Sequence, residues 1–77
     1  MSAVRKRSVA IRGHRTSFSI EQDFFDELEA IAAARGVSFA ALVAEVDETR
    51  PRDANLSSAL RVFVFREVLG RAAAQQS

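Results

Sequence analysis

The sequence predicts a single small domain that is mainly α-helical, has one short β-strand per chain and is stable as an oligomer. Three observations support this prediction. One stretch alternates apolar and polar residues, two stretches repeat apolar residues at helical spacing, and a third helical stretch is apolar on all sides. A core of 77 residues rarely contributes more than ~3–5 kcal/mol. Because the chain has no cysteine for disulfides, association of identical copies is the expected additional source of stability.

The predicted strand lies at residues 16–20, where the side chains alternate in character. Phe18 and Ile20 fall on one face of this strand, while Arg15, Ser17 and Ser19 fall on the other. Successive side chains of a strand point to opposite faces of a sheet. The first face is therefore expected to pack on helices and the second to face solvent.

A second alternation precedes this strand, and the sequence leaves its meaning open. Val9 and Ile11 are apolar at a spacing of two, and Gly13 and His14 then interrupt the pattern. Either a β-hairpin turns about Gly13-His14, or an extended arm leads into a single strand.

Two amphipathic helices are predicted next. The first covers 21–35, with an apolar stripe at Phe24, Leu28 and Ile31 and a stop at Gly36. The second begins after Ser38 as its N-cap and ends near Thr49, because Pro51 disfavours helix at the residue before it. The apolar stripe of this second helix consists of Phe39, Leu42, Val43 and Val46.

A third helix is predicted over 55–72, with Asn55 or Ser57 as its N-cap. Its apolar residues leave no polar face, so it must be covered on more than one side, and a strand over 62–65 is the alternative. The predicted organisation is a basic N-terminal arm at 1–14, a core at 15–49, a loop at 50–54, the third helix at 55–72 and a frayed tail at 73–77.

The charges are segregated along the chain. Residues 1–20 contain five basic residues and no acidic one, whereas residues 21–48 contain eight acidic residues against Arg35. A basic arm beside an acidic middle suits the binding of a polyanion on one side of the molecule. A solvated arm without a partner is the alternative.

Several classes of function are disfavoured by composition. One His and no cysteine exclude thiolate and histidine-rich metal sites, so no metal is expected. The chain has no phosphate-cradling glycine loop and no convincing Ser-His-Asp arrangement, so neither an enzymatic activity nor a cofactor is expected. It also has no stretch apolar enough for a membrane span and no signal-peptide pattern. A cytoplasmic location without a membrane partner is therefore the expectation.

The segment from Thr16 to Val43 resembles the ribbon-helix-helix family of DNA-binding proteins, and the resemblance covers about residues 15–49. The matching features are the alternating strand ending in Ile20, the Leu28/Ile31 stripe, Gly36-Val37-Ser38 and Leu42-Val43. In this family two chains pair their single strands into an intermolecular antiparallel β-ribbon, which enters the DNA major groove above interlocked helices. The resemblance implies a homodimeric, sequence-specific DNA-binding protein that regulates transcription and associates with the nucleoid.

The resemblance also implies roles for individual residues. Base edges would be read by Arg15, Ser17 and Ser19, and the backbone N–H groups of Val37, Ser38 and Phe39 would hold a phosphate. Further phosphate contacts are expected from the arm, at Arg5, Lys6, Arg7, Arg12 and His14. The dimer core would contain Phe18, Ile20, Leu28, Ile31, Leu42, Val43, Val46, Leu60, Phe63 and Val64.

Some of these residues have structural alternatives. Ser19 and Gln22 fit a capping box, Ser38 is first of all a helix cap, and His14 is most simply a turn residue. For the whole chain, the alternative is a protein-binding module. In that case the basic arm and the third helix bind another protein, as in the antitoxin of a toxin–antitoxin pair.

Overall fold

The computed structural model describes residues 3–76, which form a two-stranded hairpin followed by three helices. The strands are β1 (Val4–Ile11) and β2 (His14–Glu21), and the helices are α1 (Gln22–Arg35), α2 (Phe39–Thr49) and α3 (Leu56–Gln76). Residues 1–2 of the predicted arm and residue 77 of the predicted tail lie outside the described residues. None of the helices within residues 3–76 combines the length and the apolar character needed to cross a membrane.

β1 and β2 pair antiparallel, from Ile11 opposite His14 to Val4 opposite Glu21. Arg12 and Gly13 form the turn between them, and both have positive φ angles, of 51° and 79°, as a type I′ turn requires. Of the two alternatives that the sequence left open, the structure therefore has the hairpin, and most of the predicted arm is strand. The turn lies one residue earlier than Gly13-His14, and this position sets the register of the two strands.

One face of the hairpin lies on the helices. Ile11, Phe18 and Ile20 are buried on this inner face, and Val9 packs against the same core. The outer face of the hairpin carries Lys6, Ser8, Ala10, Arg15, Ser17 and Ser19. The second strand of the ribbon is thus supplied by the same chain, whereas an intermolecular ribbon stays a prediction.

The helix boundaries follow from local capping. Gly36 ends α1 in the left-handed conformation with φ 71°, and its N–H donates to the Ala33 carbonyl. Ser38 caps α2 as predicted, because its Oγ accepts a hydrogen bond of 3.0 Å from the Ala41 N–H. Asn55 caps α3 in the same way, since its Oδ1 accepts from the Ser58 N–H at 2.8 Å.

Two features of the helices differ from the sequence predictions. α1 begins after Glu21, whose side chain makes no capping hydrogen bond. The capping box suggested for Ser19 and Gln22 is therefore not formed. α3 includes residues 62–65, so the alternative of a strand over these residues is wrong. α3 also continues to Gln76, beyond the predicted end at 72.

The core lies between the inner face of the hairpin and the three helices. Its buried residues are Ile11, Phe18, Ile20, Leu28, Ile31, Ala32, Leu42, Val43, Val46, Leu56, Leu60 and Val64. All the residues assigned to a dimer core are therefore buried inside a single chain, except Phe63, which is half-buried and packs against the same cluster. Helix α3 contributes one face to this core, while Val62, Phe65, Val68 and Leu69 of α3 are exposed.

The turn glycine can be tested against a glycine in a helix. Gly13→Ala is expected to lower the free energy of unfolding by ~1–2 kcal/mol, because a Cβ disfavours the φ angle of 79° at this position. Gly70→Ala is the matched control, since Gly70 lies in α3 with open space where the Cβ would be. Alanine stabilises a helix interior by up to ~1 kcal/mol over glycine, so urea unfolding should show opposite signs. Destabilisation of the same size in both variants would contradict the assigned turn.

Candidate nucleic-acid interface

The outer face of the hairpin brings together two rows of small and basic side chains. Of the four cross-strand pairs whose side chains share the outward side, three form this face: Lys6 opposite Ser19, Ser8 opposite Ser17 and Ala10 opposite Arg15. The fourth pair, Val4 opposite Glu21, lies next to it at the open end of the hairpin. All six residues of the face are exposed. The three residues predicted to read bases, Arg15, Ser17 and Ser19, therefore lie in one row on the solvent face of β2.

The shape of this face suits a groove of double-stranded DNA. A two-stranded ribbon fits the major groove of B-DNA, where every base pair presents a distinct pattern of donors and acceptors. Four of the six side chains are serine or alanine, so the backbone of the ribbon can approach the base edges closely. Lys6 and Arg15 place positive charge at opposite ends of the face, on different strands.

Arg15 lies across the ribbon. Its Nη1 donates a hydrogen bond of 3.2 Å to the Oγ of Ser8 on the neighbouring strand. Both residues are exposed, so this contact orients the guanidinium along the outer face without removing it from solvent. A guanidinium has the donor geometry for two hydrogen bonds to the Hoogsteen edge of guanine.

Ser19 connects the ribbon to α3. Its backbone N–H donates a hydrogen bond of 3.0 Å to the Ser57 Oγ. In an antiparallel ladder, alternate residues direct their N–H groups away from the partner strand. This bond therefore attaches the outer edge of β2 to the first turn of α3, and the Ser19 side chain stays on the outer face.

A second contact anchors the end of β2 to the same helix. The Arg61 Nε donates a hydrogen bond of 2.8 Å to the Glu21 Oε1. This bond lowers the pKa of the Glu21 carboxyl below its usual value. The backbone bond of Ser19 and the side-chain bond of Glu21 thus attach the last residues of β2 to α3 at two points.

Arg7 lies on the inner face of the hairpin, away from the predicted phosphate contacts. Its guanidinium carbon lies 3.7 Å from the centre of the Phe25 ring, and its Nη2 donates to the Gln22 Oε1 at 2.6 Å. The Nε is buried and has no hydrogen-bond partner among the described residues. Arg7 thus fastens β1 to α1, and the structure does not place it with the exposed cations of the arm.

The role of Arg7 can be tested by comparison with Arg5, the exposed residue at the preceding position on the same face. Arg7→Ala is expected to lower the free energy of unfolding by ~0.5–2 kcal/mol, because it removes the cation–π contact and the bond to Gln22. Arg5→Ala should change the unfolding midpoint in urea much less. Equal losses in the two variants would show that Arg7 does not anchor the hairpin.

Arg12 at the turn is bound to the acidic end of α2. Its Nη2 donates to the Asp47 Oδ2 at 3.0 Å and its Nη1 to the Glu48 Oε1 at 3.1 Å. Asp47 also accepts a bond of 2.7 Å from the Arg50 Nε. The Arg50 hydrogen bond, with the charges of Arg50 and Arg12, lowers the pKa of the Asp47 carboxyl. The acidic residues at the end of α2 therefore hold the tip of the hairpin, and the Arg12 guanidinium is ion-paired although its side chain is 52% exposed.

The pKa of Asp47 gives a pH test of this contact. A carboxyl with a lower pKa in the folded chain contributes its stability above the ordinary value of ~3.9 and loses it as the pH falls through the folded value. We expect Asp47→Asn to be less stable than the wild type at neutral pH, by ~1 kcal/mol or less because the pair is partly exposed. In strong acid the two unfolding curves should coincide. A difference that stays constant with pH would contradict a contribution from the ionised carboxylate.

Three basic residues of the predicted phosphate set are exposed and lie outside the ion pairs of residues 3–76. Within residues 3–76, Arg5, Lys6 and His14 form no ion pair with an acidic side chain. Lys6 lies on the outer face, whereas Arg5 and His14 lie at opposite ends of the inner face. Exposed basic side chains are thus present on both faces of the ribbon.

The start of α2 is only partly available for a phosphate. The Val37 N–H donates to the Ala32 carbonyl at 3.0 Å, so it is used in the termination of α1. The N–H groups of Ser38 and Phe39 remain from the predicted set. The Phe39 side chain packs on the Phe25 and Phe18 rings, with centroid distances of 5.0 and 6.3 Å, and this fixes the helix start beneath the hairpin.

Comparison with known proteins decides the family. The family model described as "Ribbon-helix-helix domain" matches residues 4–68, which includes both strands, α1, α2 and more than half of α3. The chain belongs to the ribbon-helix-helix family. No curated protein and no solved structure matches it significantly. Ribbon-helix-helix domains are DNA-binding, non-enzymatic modules, and at this coarse level the family supports a DNA-binding regulator.

Sequence reasoning missed half of the outer face of this ribbon-helix-helix chain. Ser8 and Ala10 received no role, and Lys6 was assigned to phosphates although it lies in the row opposite Ser19. The sequence feature that could have identified these residues is the alternation in residues 4–11, combined with a turn at Arg12-Gly13. With the turn placed at Gly13-His14, each residue of the first strand would pair two residues further along β2, so that Ser8 would lie opposite Ser19 and not Ser17.

The acidic and histidine side chains of the described residues do not cluster into a metal site. No group of three or more His, Asp or Glu side chains in residues 3–76 could hold a metal ion. Most acidic side chains near the hairpin instead form ion pairs with arginines of other elements, as Asp47, Glu48 and Glu21 do. The basic outer face of the hairpin remains the candidate site.

Proposed function

We propose that this protein is a sequence-specific DNA-binding homodimer that regulates transcription, and that it inserts the outer face of its hairpin into the major groove. The observation that carries the proposal is the composition of this face. It is an exposed two-stranded ribbon whose six side chains are serine, alanine, one lysine and one arginine, and the acidic Glu21 next to it is bonded to Arg61. Family membership supports the same class of ligand.

Base recognition is assigned to both strands. Arg15 is the strongest reader, because a bidentate contact with guanine discriminates against other bases by ~1–3 kcal/mol. Lys6 supplies a second cation that can bind guanine, from the other strand. Ser17 and Ser19, with Ser8 beside them, are short donors and acceptors that bind either directly or through water. Each ribbon is thus expected to read a short half-site in which Arg15 contacts one G·C pair and Lys6 can contact another.

Affinity is assigned to phosphate contacts outside the ribbon centre. Arg5, His14 and the N–H groups of Ser38 and Phe39 are suited to this role. Arg7 and Arg12 are engaged within the chain, so the number of phosphates neutralised is smaller than the basic N-terminal segment suggests. Each neutralised phosphate contributes about −0.9 to the slope of log affinity against log salt concentration. The measured slope therefore gives the number of phosphate contacts.

The homodimer is proposed because one ribbon alone reads too few base pairs for a unique operator. Two ribbons related by two-fold symmetry would read two half-sites, with a spacing set by the dimer. Pairing of free strand edges into an intermolecular ribbon is one way to form such a dimer. The intrachain hairpin already provides a complete two-stranded reading face in each copy.

The test is a fluorescence-anisotropy titration of labelled duplexes, including the DNA upstream of the protein's own gene, across a series of salt concentrations. Selective binding to one duplex, with an affinity that falls with salt, is the expected result. Equal binding to all duplexes would refute sequence-specific recognition. Absence of binding at low salt would refute DNA binding itself.

A protein-binding module is the second candidate function, and one observation favours it. Val62, Phe65, Val68 and Leu69 form an exposed apolar surface on α3, with exposed fractions from 44% to 60%. Contiguous apolar patches of this kind mark interaction sites. If no duplex binds, capture of a protein partner through this surface becomes the leading function.

A further inference from the structure

A groove of about 380 Å³ lies between the end of α2, the loop that follows it and α3. Its lining contains two arginines, Arg50 and Arg66, and no acidic residue. The other residues of the lining are apolar or carry only a hydroxyl group. Pockets that bind small molecules have this composition, with a mainly apolar wall and a small number of polar groups that fix the orientation of the ligand.

From this composition, we infer that the groove binds a small organic carboxylate with an apolar body, and that Arg66 and Arg50 bind its carboxylate group. The volume lies near the lower limit of the ~300–1,000 Å³ that is usual for ligand pockets, so a compact molecule fits better than a peptide. The inference goes beyond the proposed function and does not rest on it, because the lining of the groove contains no residue of the hairpin.

Arg66 supplies a positive charge that no carboxylate of residues 3–76 offsets. It is exposed and belongs to none of the ion pairs of this part of the chain. The residues three and four positions away from it on α3 are apolar or glycine, so no acidic side chain of the same helix lies beside it. The other charged residues of α3, Arg61, Glu67 and Arg71, are each paired with another element. The guanidinium of Arg66 is therefore available to an anion.

Arg50 is held in place by bonds within the chain. Its Nε donates a hydrogen bond of 2.7 Å to the Asp47 Oδ1, and its Nη1 donates to the Ala54 carbonyl. Its Nη2 has no hydrogen-bond partner among the described residues. A side chain that is already fixed loses little conformational freedom when a ligand binds. Arg50 thus offers one positioned donor, whereas Arg66 can use its guanidinium for a bidentate bond to a carboxylate.

The wall of the groove determines the chemistry of the rest of the ligand. Pro51, Val62 and Phe63 line it, and the Phe63 ring is only half-buried. A ligand with an aromatic or branched aliphatic body removes these surfaces from water, whereas an inorganic anion leaves them exposed.

A second groove, of about 450 Å³, shows the contrast. It lies between α3 and Phe24 of α1, and the one cation in its lining, Arg61, is already bonded to Glu21. The second groove therefore lacks an available charge, and preference for an anion is expected only in the first.

The test is an NMR titration of the full-length, ¹⁵N-labelled chain with 2-naphthoate, compared with 2-naphthamide, the uncharged amide of the same ring system. Saturable shifts of amide signals from Thr49, Ala54, Ser58 and Val62 are expected, with a dissociation constant on the order of 1 mM for a probe of this size. The amide should bind at least about fivefold more weakly, because it cannot form the charged contact. Equal affinities, no saturable shifts, or the largest shifts at Phe24 would overturn the inference.

Removal of one charge tests the role of Arg66. Arg66→Gln should raise the dissociation constant of 2-naphthoate about fivefold and leave that of 2-naphthamide unchanged. Arg5→Gln is the matched control, because Arg5 is an exposed arginine of β1 without an ion pair in residues 3–76 and lies outside the groove. If both variants lose the same affinity for 2-naphthoate, the net charge of the chain and not the groove binds the carboxylate.

Introduction of a carboxylate gives a second variant whose fold is protected. Ser58 lines the groove, and it is the third residue after the N-cap Asn55, which bonds its N–H. A glutamate at this position of a helix is favourable, so Ser58→Glu is expected to stay folded, as circular dichroism verifies. It should weaken 2-naphthoate at least about fivefold by repulsion and leave 2-naphthamide unchanged. Wild-type affinity of Ser58→Glu for 2-naphthoate would overturn the inference, whatever the chain's affinity for DNA.

Discussion

Leu60→Ala is expected to unfold most of the protein, because it removes a large side chain from the centre of the core. Leu60 has no exposed surface and packs with the hairpin and the other two helices. A buried leucine replaced by alanine lowers the free energy of unfolding by ~2–5 kcal/mol. A core of this size contributes about 3–5 kcal/mol in total, so the loss is comparable to the whole stability.

The control for this change lies in the same helix. Leu69 is 51% exposed, so Leu69→Ala leaves the core of a single chain intact. The free energy of unfolding of Leu60→Ala, measured in urea, should be reduced at every protein concentration. The reduction in Leu69→Ala should be much smaller, because half of its side chain already lies in solvent. A Leu60→Ala deficit that disappears on dilution would move Leu60 into an interface between copies.

Arg15→Ala is expected to lower the affinity for the preferred duplex by about fivefold to 150-fold per half-site, corresponding to ~1–3 kcal/mol. The guanidinium lies on the outer face, oriented along the ribbon by Ser8, where no other side chain can replace its two donors. Affinity for unrelated duplexes should fall much less. The ratio of specific to nonspecific affinity is therefore the quantity to measure, at one salt concentration.

Arg52→Ala is the matched control for this prediction. Arg52 is an exposed arginine between α2 and α3, so its change removes the same charge at a different place. Both variants should keep the circular dichroism and the sedimentation of the wild type. If the two variants lose affinity equally, net charge and not the outer face determines binding. If Arg15→Ala binds like the wild type, the reading residues lie elsewhere.

Most of the helical fold could be predicted because it follows from local signals. Gly36 and Ser38 mark the end of α1 and the start of α2 through their own backbone and side-chain bonds. The apolar stripes of both helices identify the side that packs. The family prediction was confirmed over a longer range than the strand and two helices on which it was based.

The hairpin and the roles of the arm residues could not be predicted in the same way. The choice between hairpin and extended arm depends on the turn, and an arginine with positive φ at position 12 is not a standard turn signal. The positions of Arg7 and Arg12 depend on contacts with residues 15 or more positions away. On the basis of charge alone, both residues were predicted to contact DNA phosphates. In the structure, Arg7 packs on the ring of Phe25, and Arg12 is bonded to two carboxylates of the same chain.

The third helix shows a further limit of sequence patterns. A helix with apolar residues on all sides indicates that two surfaces must be covered, but not which partner covers each one. Leu60 and Val64 were assigned to a dimer, and the structure buries them in their own chain. The residues left for another partner, Val62, Phe65 and Leu69, are interleaved with them in the same stretch of sequence.

The tight turn at Arg12-Gly13 has a consequence for folding speed. The hairpin joins consecutive strands, and α1 and α2 are separated by only three residues. Sequence-local contacts of this kind lower the loop-closure entropy that limits the folding rate, and small domains rich in them fold in microseconds to milliseconds. A newly made chain is therefore expected to present a finished reading face long before it meets a second copy. In a cell with few copies, the delay between synthesis and full occupancy of an operator is then set by bimolecular encounter and not by folding.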